Sequence, residues 1–221
     1  MTLKAIVFDL DGVLTDTAEL HYLAWKRLSD ELSLDFNREY NEELKGVGRL
    51  DSFEIILSKN GKNDFYTLSE KESFANRKNE YYKELIATLT PSDILPGIGE
   101  LLREIKAAGL KTAVASVSRN APEVLKRLEI GHFFDTVADA GKVKHSKPDP
   151  EIFLTCARQL GVDPRECIGV EDSQAGIEAI LAAKMYSVGI NVTVTTKSPD
   201  LVLRSTSELN LDRLVKAFEA K

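Results

Sequence analysis

Two aspartates, Asp9 and Asp11, stand one residue apart where the apolar run AIVF ends near the start of the chain. Side chains alternate along an extended strand, so both carboxylates point to the same side, while Gly12 lets the backbone turn away. Two carboxylates this close repel each other, and burying them without compensation is costly. The pair therefore needs a cation or a shared proton, unless it is only a solvated turn at the end of a strand.

Three further segments follow apolar runs and carry polar side chains: Ser116, Ser118 and Asn120 in ASVSRN, Lys147 in SKPDP, and Glu171 with Asp172 in VEDSQAG. Taken one by one, these residues are ordinary turn hydroxyls, a surface lysine and a helix cap. Taken together they predict one site. Four carboxylates suit a hard divalent cation, and Mg²⁺ in contact with a phosphate is the common case. The hydroxyls, the lysine and the start of the helix after Asn120 would then bind phosphate oxygens.

Such a site supports phosphoryl transfer. With negative charge gathered around a metal, Asp9 could attack a phosphorus atom as a carboxylate nucleophile and form an aspartyl-phosphate. Asp11 would act as general acid and base. Thr17 and His21 lie four residues apart on the next predicted helix, so they share one face and could reach the same site. A lone histidine on a helix is more often a surface or core residue, but the position of His21 soon after Asp11 favours the site.

The elements that must position these residues alternate along the chain. Short runs rich in β-branched residues, at AIVF, KTAVAS, TVAD, CIGV and YSVGI, are separated by helical patterns. This alternation predicts parallel βαβ units and a Rossmann-like α/β sheet. Helices are expected to end at Gly109 and Gly161, and Pro122 stands at a first-turn position. Doubly wound sheets bind ligands at the carboxyl ends of their strands, which is where the polar residues fall.

Residues 18 to about 90 interrupt this alternation, because they offer several helices and no strand candidate. One helix begins with a capping box at Thr67 or Ser69. Residues 91–96, PSDILP, are the predicted return linker. The predicted fold has two parts, a Rossmann-like catalytic core over residues 1–16 and 91–221 and an inserted α-helical cap over residues 17–90.

Composition restricts the class of partner. The 221 residues include 29 Lys plus Arg against 35 Asp plus Glu, a net charge of -6, so a nucleic-acid partner is not expected. No apolar stretch approaches the ~20 residues of a membrane span, and no signal peptide is evident, so we expect no membrane partner and a cytoplasmic location. Cys156 and Cys167 are predicted to be buried thiols, and His132 and His145 to be loop or surface residues.

The motifs, in this order, resemble the haloacid dehalogenase superfamily: D-x-D-G-V at residues 9–13, the serine-bearing strand end, Lys147 and the acidic pair 171–172. Within it, FDLDGVLTDTAELH, LKGVGR, ASVSRN, SKPDP and EDSQAGI resemble the branch that isomerises glucose phosphates, over nearly the whole chain. Dehalogenases of the superfamily lack the second aspartate because their leaving group is a halide. Asp11 therefore favours phosphate chemistry.

The resemblance implies a role for each motif residue. Asp9 would be the nucleophile and Asp11 the acid and base, with His21 steadying Asp11. One Mg²⁺ per chain would be held by the carboxylates of Asp9, Glu171 and Asp172 and by the main-chain oxygen of Asp11. The substrate-binding set would comprise Lys45 towards the sugar, Ser116 and Lys147 towards the transferring phosphate, and Arg49, Ser118, Arg119 and Asn120 towards the second phosphate, with Gly46 and Val117 as its remaining positions. By charge pattern alone, Lys45 and Arg49 are also compatible with a solvated loop.

The implied reaction interconverts β-glucose 1-phosphate and glucose 6-phosphate through β-glucose 1,6-bisphosphate, which is also the expected activator. The expected partners are small sugar phosphates, and the expected state is a monomer. Two alternatives stay open, a Mg²⁺-dependent sugar phosphatase of the same fold and a noncatalytic regulator that binds sugar phosphates. A regulator has no need to keep Asp9, Asp11, Lys147 and Asp172 together.

Four positions depart from the pattern of that branch. Gly48 replaces a serine and Leu50 an acid on either side of Arg49, which could alter the flexibility of this loop. Val117 replaces a smaller residue. Lys184 stands where a glycine usually ends a helix, which costs about 1 kcal/mol if the backbone there is left-handed.

Overall fold

A six-stranded parallel sheet forms the centre of the computed structural model, which describes residues 2–194 and 196–221. Its strands are β1 (Ala5–Phe8), β2 (Lys111–Val114), β3 (Thr136–Val137), β4 (Cys167–Glu171), β5 (Tyr186–Ile190) and β6 (Leu201–Leu203). The order across the sheet is β3-β2-β1-β4-β5-β6. The direction of winding reverses between β1 and β4, so a crevice opens at the carboxyl ends of these two strands.

The described part of the chain also forms nine α-helices: α1 (Thr17–Glu31), α2 (Arg38–Glu42), α3 (Arg49–Lys59), α4 (Leu68–Ile86), α5 (Ile98–Ala107), α6 (Ala121–Arg127), α7 (Glu151–Leu160), α8 (Gln174–Ala182) and α9 (Leu211–Glu219). None of these helices is both long enough and apolar enough to cross a membrane. The α/β class and the parallel sheet predicted from the alternating pattern are confirmed.

An apolar layer covers each face of the sheet. Ile6 and Phe8 of β1 pack into one cluster with residues of α5, α6 and α9, whereas Ala5 and Val7 pack into a second cluster with α7 and α8. All four residues of β1 are fully buried. A strand covered on both faces reads as a continuous apolar run, so its polar residues can only follow its end.

The observed helix ends match those predicted from glycine and proline positions in the sequence. Gly161 is the left-handed C-cap of α7, and Gly109, with φ +68°, follows the end of α5. Pro122 lies in the first turn of α6. Lys184 has φ +62°, so the expected left-handed strain is present at this position.

The four helices α1 to α4, here termed the helical insertion, lie between β1 and β2 in the chain. Residues 17–90 are all described and contain no strand, as predicted. Thr67 forms the predicted capping box at the start of α4. A separate apolar cluster holds α1 to α3 together around Trp25 and Phe53, whose rings stack with centroids 6.0 Å apart. This packing agrees with a cap, while its bounds at residues 17 and 90 stay a prediction.

The two cysteines and two of the histidines have the expected environments. Cys156 and Cys167 are buried free thiols, and burial raises the pKa of each to about 12. His132 and His145 are exposed. Neither pair is part of the site described below.

Candidate active site

The end of β1 brings Asp9 to the crevice between β1 and β4. Its N–H bonds to the Val170 carbonyl oxygen at 2.9 Å, and only 5% of the residue is exposed. Gly12 then turns the backbone with φ +75°, and a Cβ at this position would lie 2.3 Å from Oδ2 of Asp172. Only glycine fits here, so the turn after Asp11 can approach the end of β4 closely.

Lys147 forms hydrogen bonds to an acid at the end of β1 and to an acid at the end of β4. Its Nζ donates hydrogen bonds to Oδ1 of Asp9 and Oε2 of Glu171, both at 2.7 Å, and the side chain is 1% exposed. Burial disfavours the ammonium group, but the two carboxylates outweigh burial and hold the pKa of Lys147 above its usual range. Lys147 is therefore a fixed cation beside the predicted nucleophile, and not a surface lysine.

Three carboxylates from two strand ends form a cluster. One oxygen from each of Asp9, Glu171 and Asp172 lies within 4.8 Å of the others. Burial, and then the charge of Glu171, raises the pKa of Asp9 well above its usual range and the pKa of Asp172 to about 7. Asp9 and Asp172 therefore resist ionisation, and a hard divalent cation bound to these oxygen donors would keep them ionised. These residues thus fit the predicted Mg²⁺.

The start of α8 orients Glu171. Oε1 of Glu171 accepts hydrogen bonds from the N–H of Asp172 and the N–H of Ser173, both at 3.1 Å, and from the Ser173 hydroxyl at 2.9 Å. Ser173 also caps α8 by accepting from the N–H of Gly176. The helix cap is thus Ser173, which leaves Oε2 of Glu171 for Lys147.

The carboxylate of Asp11 lies outside this cluster, which contains the three acids expected to bind a metal through their carboxylates. Its Oδ1 accepts a hydrogen bond from the Thr17 hydroxyl and lies 3.8 Å from Nε2 of His21. Burial raises the pKa of Asp11, although the Thr17 hydrogen bond opposes the shift. A carboxyl group with a raised pKa suits a general acid. A metal contact through the main-chain oxygen of Asp11 stays a prediction.

Lys78 of α4, which the sequence analysis did not identify, contacts His21 on the side of the ring that faces away from Asp11. Its Nζ lies 2.7 Å from Nδ1 of His21, and the residue is 2% exposed. Burial, and then the charge of Arg49, lowers the pKa of Lys78 to about 7. Burial, and then Lys78, lowers the pKa of His21 well below its usual range. When Lys78 is charged it can only donate, so Nδ1 of His21 then accepts and the neutral ring carries its proton on Nε2, towards Asp11.

The sequence did contain a signal for Lys78. Lys78 and Asn79 share the buried face of α4 with the apolar residues Ala75 and Tyr82, so two polar residues occupy positions of the core stripe. Asn79 accepts a hydrogen bond at 2.8 Å from Nδ2 of Asn120, which connects the helical insertion to the sheet edge. Polar residues in the apolar stripe of α4 therefore mark the contact between the helical insertion and the sheet.

The end of β2 forms a loop held by its own hydroxyl groups. Ser116 is fully buried, and its hydroxyl accepts the N–H of Ser118 at 3.1 Å. The Ser118 hydroxyl in turn accepts the N–H of Asn120 at 3.3 Å. Both hydroxyls retain a proton to donate, so the loop is fixed while its phosphate-binding capacity is kept. The predicted phosphate contacts are untested.

A cavity of about 460 Å³ lies between the sheet edge and the helical insertion. The predicted residues that line it are Asp9, Asp11, His21, Lys45, Gly46, Arg49, Val117, Ser118, Arg119, Asn120 and Asp172. The other predicted residues, Thr17, Ser116, Lys147 and Glu171, are buried at the strand ends and the start of α1. The motifs that are distant in sequence thus converge on one cavity.

Cationic side chains of the helical insertion face this cavity. Nζ of Lys45 lies 3.3 Å from Oδ2 of Asp172, and Nη1 of Arg49 donates to Oδ1 of Asn76 at 3.2 Å. Burial, and then the charge of Arg119, lowers the pKa of Arg49. Two guanidinium groups that repel each other across a cavity favour an anionic ligand between them.

A family model for "haloacid dehalogenase-like hydrolase" matches residues 3–184. The chain belongs to this family. Its parallel sheet, its helical insertion after β1 and the acids at the ends of β1 and β4 are thus parts of a haloacid dehalogenase-like fold. Members of this family that transfer phosphate typically use Mg²⁺, which the three-carboxylate cluster fits.

Known relatives include both mutases and phosphatases. The chain is 46% identical to beta-phosphoglucomutase of Bacillus subtilis, over 98% of this chain and 96% of the relative. It is 31% identical to a phosphorylated carbohydrates phosphatase of Thermotoga maritima, over 84% and 85% of the two chains. A crystal structure of beta-phosphoglucomutase from Clostridium difficile superposes with a TM-score of 0.97 at 43% identity, covering 99% of this chain and 98% of the other.

Proposed function

We propose that the protein is a β-phosphoglucomutase, which interconverts β-glucose 1-phosphate and glucose 6-phosphate. The observation that carries the proposal is the 46% identity with the Bacillus subtilis enzyme over 98% of the chain, and a cavity lined by most of the predicted site residues supports it. Sugar phosphates suit a cavity with cationic side chains on one wall and acids on the other.

In the proposed reaction, a carboxylate oxygen of Asp9 attacks phosphorus, and the bond between phosphorus and the sugar oxygen breaks. Asp11 gives its proton to the leaving sugar oxygen and recovers one from the hydroxyl that attacks phospho-Asp9 in the second step. Thr17 and His21 orient Asp11, while Lys147 and Ser116 bind the phosphoryl oxygens. The raised pKa of Asp11 supports the acid role, because burial favours the protonated carboxyl group.

One Mg²⁺ per chain would be held by Asp9, Glu171, Asp172 and the main-chain oxygen of Asp11. When bound, it would offset the negative charge that the acids and the phosphate bring together. The 2.7 Å contact between Lys147 and Asp9 supplies a second positive charge at the nucleophile. The chain's own residues thus bring a dianionic phosphate to an anionic nucleophile.

A second phosphate site distinguishes a mutase from a phosphatase. We assign it to Arg49, Ser118, Arg119 and Asn120, with Lys45 and Gly46 towards the sugar and Val117 in the wall between them. The repulsion between Arg49 and Arg119 supports this assignment. A bisphosphate, β-glucose 1,6-bisphosphate, would then be the intermediate and the activator.

Hydrolysis is the competing activity, because the Thermotoga maritima relative is a phosphatase and shares the family. A noncatalytic regulator is less compatible with a lysine buried between two acids, since that arrangement is costly to keep for binding alone. We further propose a monomeric cytoplasmic enzyme with a catalytic core over residues 1–16 and 91–221 and a cap over residues 17–90.

The test is a labelled transfer. The protein is incubated with Mg²⁺ and β-glucose 1,6-bisphosphate carrying a labelled phosphate, and the peptide that contains Asp9 is analysed by mass spectrometry. We expect one phosphoryl group on Asp9, transfer of the label to added β-glucose 1-phosphate, and loss of both in Asp9→Asn with the fold retained. Asp212→Asn, on the exposed face of α9, is the matched control. Turnover that persists in Asp9→Asn would contradict the covalent route.

A further inference from the structure

A hydrogen bond connects the helical insertion to the loop that carries Lys147. The backbone N–H of Gly48 donates to Oγ of Ser146 at 3.0 Å, across 98 positions of sequence. Gly48 is the N-cap residue of α3, so its N–H has no partner within that helix. Ser146 thus satisfies a backbone group that would otherwise need water.

The two partners of this bond flank residues of the proposed reaction. Gly48 directly precedes Arg49, and Ser146 directly precedes Lys147. A Cβ on Gly46 would lie 3.1 Å from Cδ and 3.2 Å from Cβ of Lys147, so this loop packs on the lysine stem. The loop therefore covers the cation that contacts Asp9.

The contact depends on the absence of a side chain at position 48. A Cβ there would lie 2.9 Å from Oγ of Ser146 and 3.2 Å from Oδ2 of Asp51. Any larger residue forces the serine or the loop to shift. The glycine at position 48 and the serine at position 146 are thus a matched pair.

We propose that Ser146 is a positioning residue which, through the Gly48 amide, holds the loop of residues 45–49 closed over phospho-Asp9 and so favours the sugar hydroxyl over water as the acceptor. This inference rests on the proposed function, because it concerns the fate of the phosphoenzyme. When the loop is displaced, water reaches the phosphoryl group, and the bond between phosphorus and Asp9 is hydrolysed to inorganic phosphate.

Ser146→Ala removes the acceptor and leaves the chemistry of Asp9, Asp11 and Lys147 in place. One net hydrogen bond changes a closure equilibrium about 3- to 10-fold. We expect the ratio of inorganic phosphate to glucose 6-phosphate formed from β-glucose 1-phosphate to rise by this factor. Ser146→Thr, which keeps the hydroxyl, should stay within about 2-fold of the wild type. Ser58→Ala, at an exposed position of α3, is the matched control.

A second measurement does not depend on activity. Hydrogen exchange of the Gly48 amide, followed by NMR with Mg²⁺ present, should accelerate about 3- to 10-fold in Ser146→Ala and not in the control. If Ser146→Ala does not fold, Gly48→Ala replaces it. We expect Gly48→Ala to raise both the phosphate-to-product ratio and the exchange rate of the amide at position 48. Gly99→Ala, at an open position of α5, is the control for this variant.

The outcomes separate the two proposals. If the wild type makes no glucose 6-phosphate, the proposed function fails, and Gly48 exchange still reports on the hydrogen bond. If the wild type isomerises and Ser146→Ala changes neither the product ratio nor Gly48 exchange, the positioning role is wrong.

Discussion

At the scale of single residues, neighbouring groups and burial shift the pKa values of two lysines in the site. Lys147 is kept charged by Asp9 and Glu171, whereas Lys78 is partly discharged by burial and by Arg49. Two lysines of the same site are therefore shifted in opposite directions. The difference lies in their partners, since Lys147 contacts two carboxylates and Lys78 contacts a neutral imidazole.

Lys78 gives a pH-dependent prediction. Its pKa is near 7 in the folded protein against 10.5 in an unperturbed lysine, a penalty on the order of 5 kcal/mol for the charged form. Below pH 7 the lysine is charged in both the folded and the unfolded state, so the folded state bears the full penalty. The penalty disappears as the pH rises from about 7 to 10.5, because the folded state loses its proton first.

Lys78→Met should therefore raise the free energy of unfolding by several kcal/mol at pH 6, and this gain should shrink towards pH 10. Turnover should fall, because His21 loses the donor that fixes its tautomer. Urea unfolding at pH 6, 8 and 10 measures the first effect. Lys26→Met, at a surface ion pair of α1, should show no such trend. A gain that is independent of pH would mean that Lys78 is not held with a lowered pKa.

The sequence predicts the acids and Lys147 because their motifs follow strand ends, and the carboxyl ends of parallel strands meet at one edge. For Lys78 the sequence offers only a polar position on the buried face of α4, and not the contact with His21, which lies 57 positions away. The predicted metal set, with Asp11 contributing its main-chain oxygen, stays a prediction, and the Asp11 side chain has a separate partner. Thr17 draws the carboxylate of Asp11 towards α1 and away from the cluster.

At the scale of elements, the strands that are covered on both faces have the clearest sequence pattern. β1 and β4 are buried throughout and read as apolar runs. β6 was not predicted, because it has three residues at the sheet edge and Val202 within it is 51% exposed. The predicted strand at TVAD shortens to β3, two residues at the opposite edge. Edge strands have a neighbour on one side only, which leaves them short and weakly patterned.

The start of α3 carries the element-scale prediction, because it brings Arg49 into the cavity. Arg49→Ala removes a charge-assisted contact of roughly 2–4 kcal/mol to the second phosphate, so isomerisation should fall about 30- to 1000-fold. Hydrolysis of a small phosphate ester without a second phosphate should change little. Both rates are measured in the same preparation, with Arg103→Ala on the exposed face of α5 as control.

If Arg49→Ala slows both reactions equally, Arg49 has a general role in folding or access and does not bind a second phosphate. If it changes neither rate, the second phosphate site is elsewhere. The expected asymmetry arises because the small ester contacts only the groups at the strand ends, whereas the bisphosphate must also contact the helical insertion.

At the scale of the whole molecule, the active site lies between the sheet and the helical insertion. Three of the polar contacts that cross this boundary join Lys45 to Asp172, Gly48 to Ser146, and Asn79 to Asn120. The insertion could be predicted from the break in alternation after β1, but these contacts could not, since each depends on how the helices pack on the sheet. The contacts that join the two sides of the cavity are thus properties of the packed molecule.

The central claim is that the protein transfers phosphate between sugar positions and does not release it to water. The most direct measurement incubates the wild type with β-glucose 1-phosphate, Mg²⁺ and a catalytic amount of β-glucose 1,6-bisphosphate, and follows glucose 6-phosphate and inorganic phosphate in the same sample. We predict glucose 6-phosphate as the main product, and no product in excess chelator. Inorganic phosphate as the main product would contradict the account and assign the protein to the sugar phosphatases of its family.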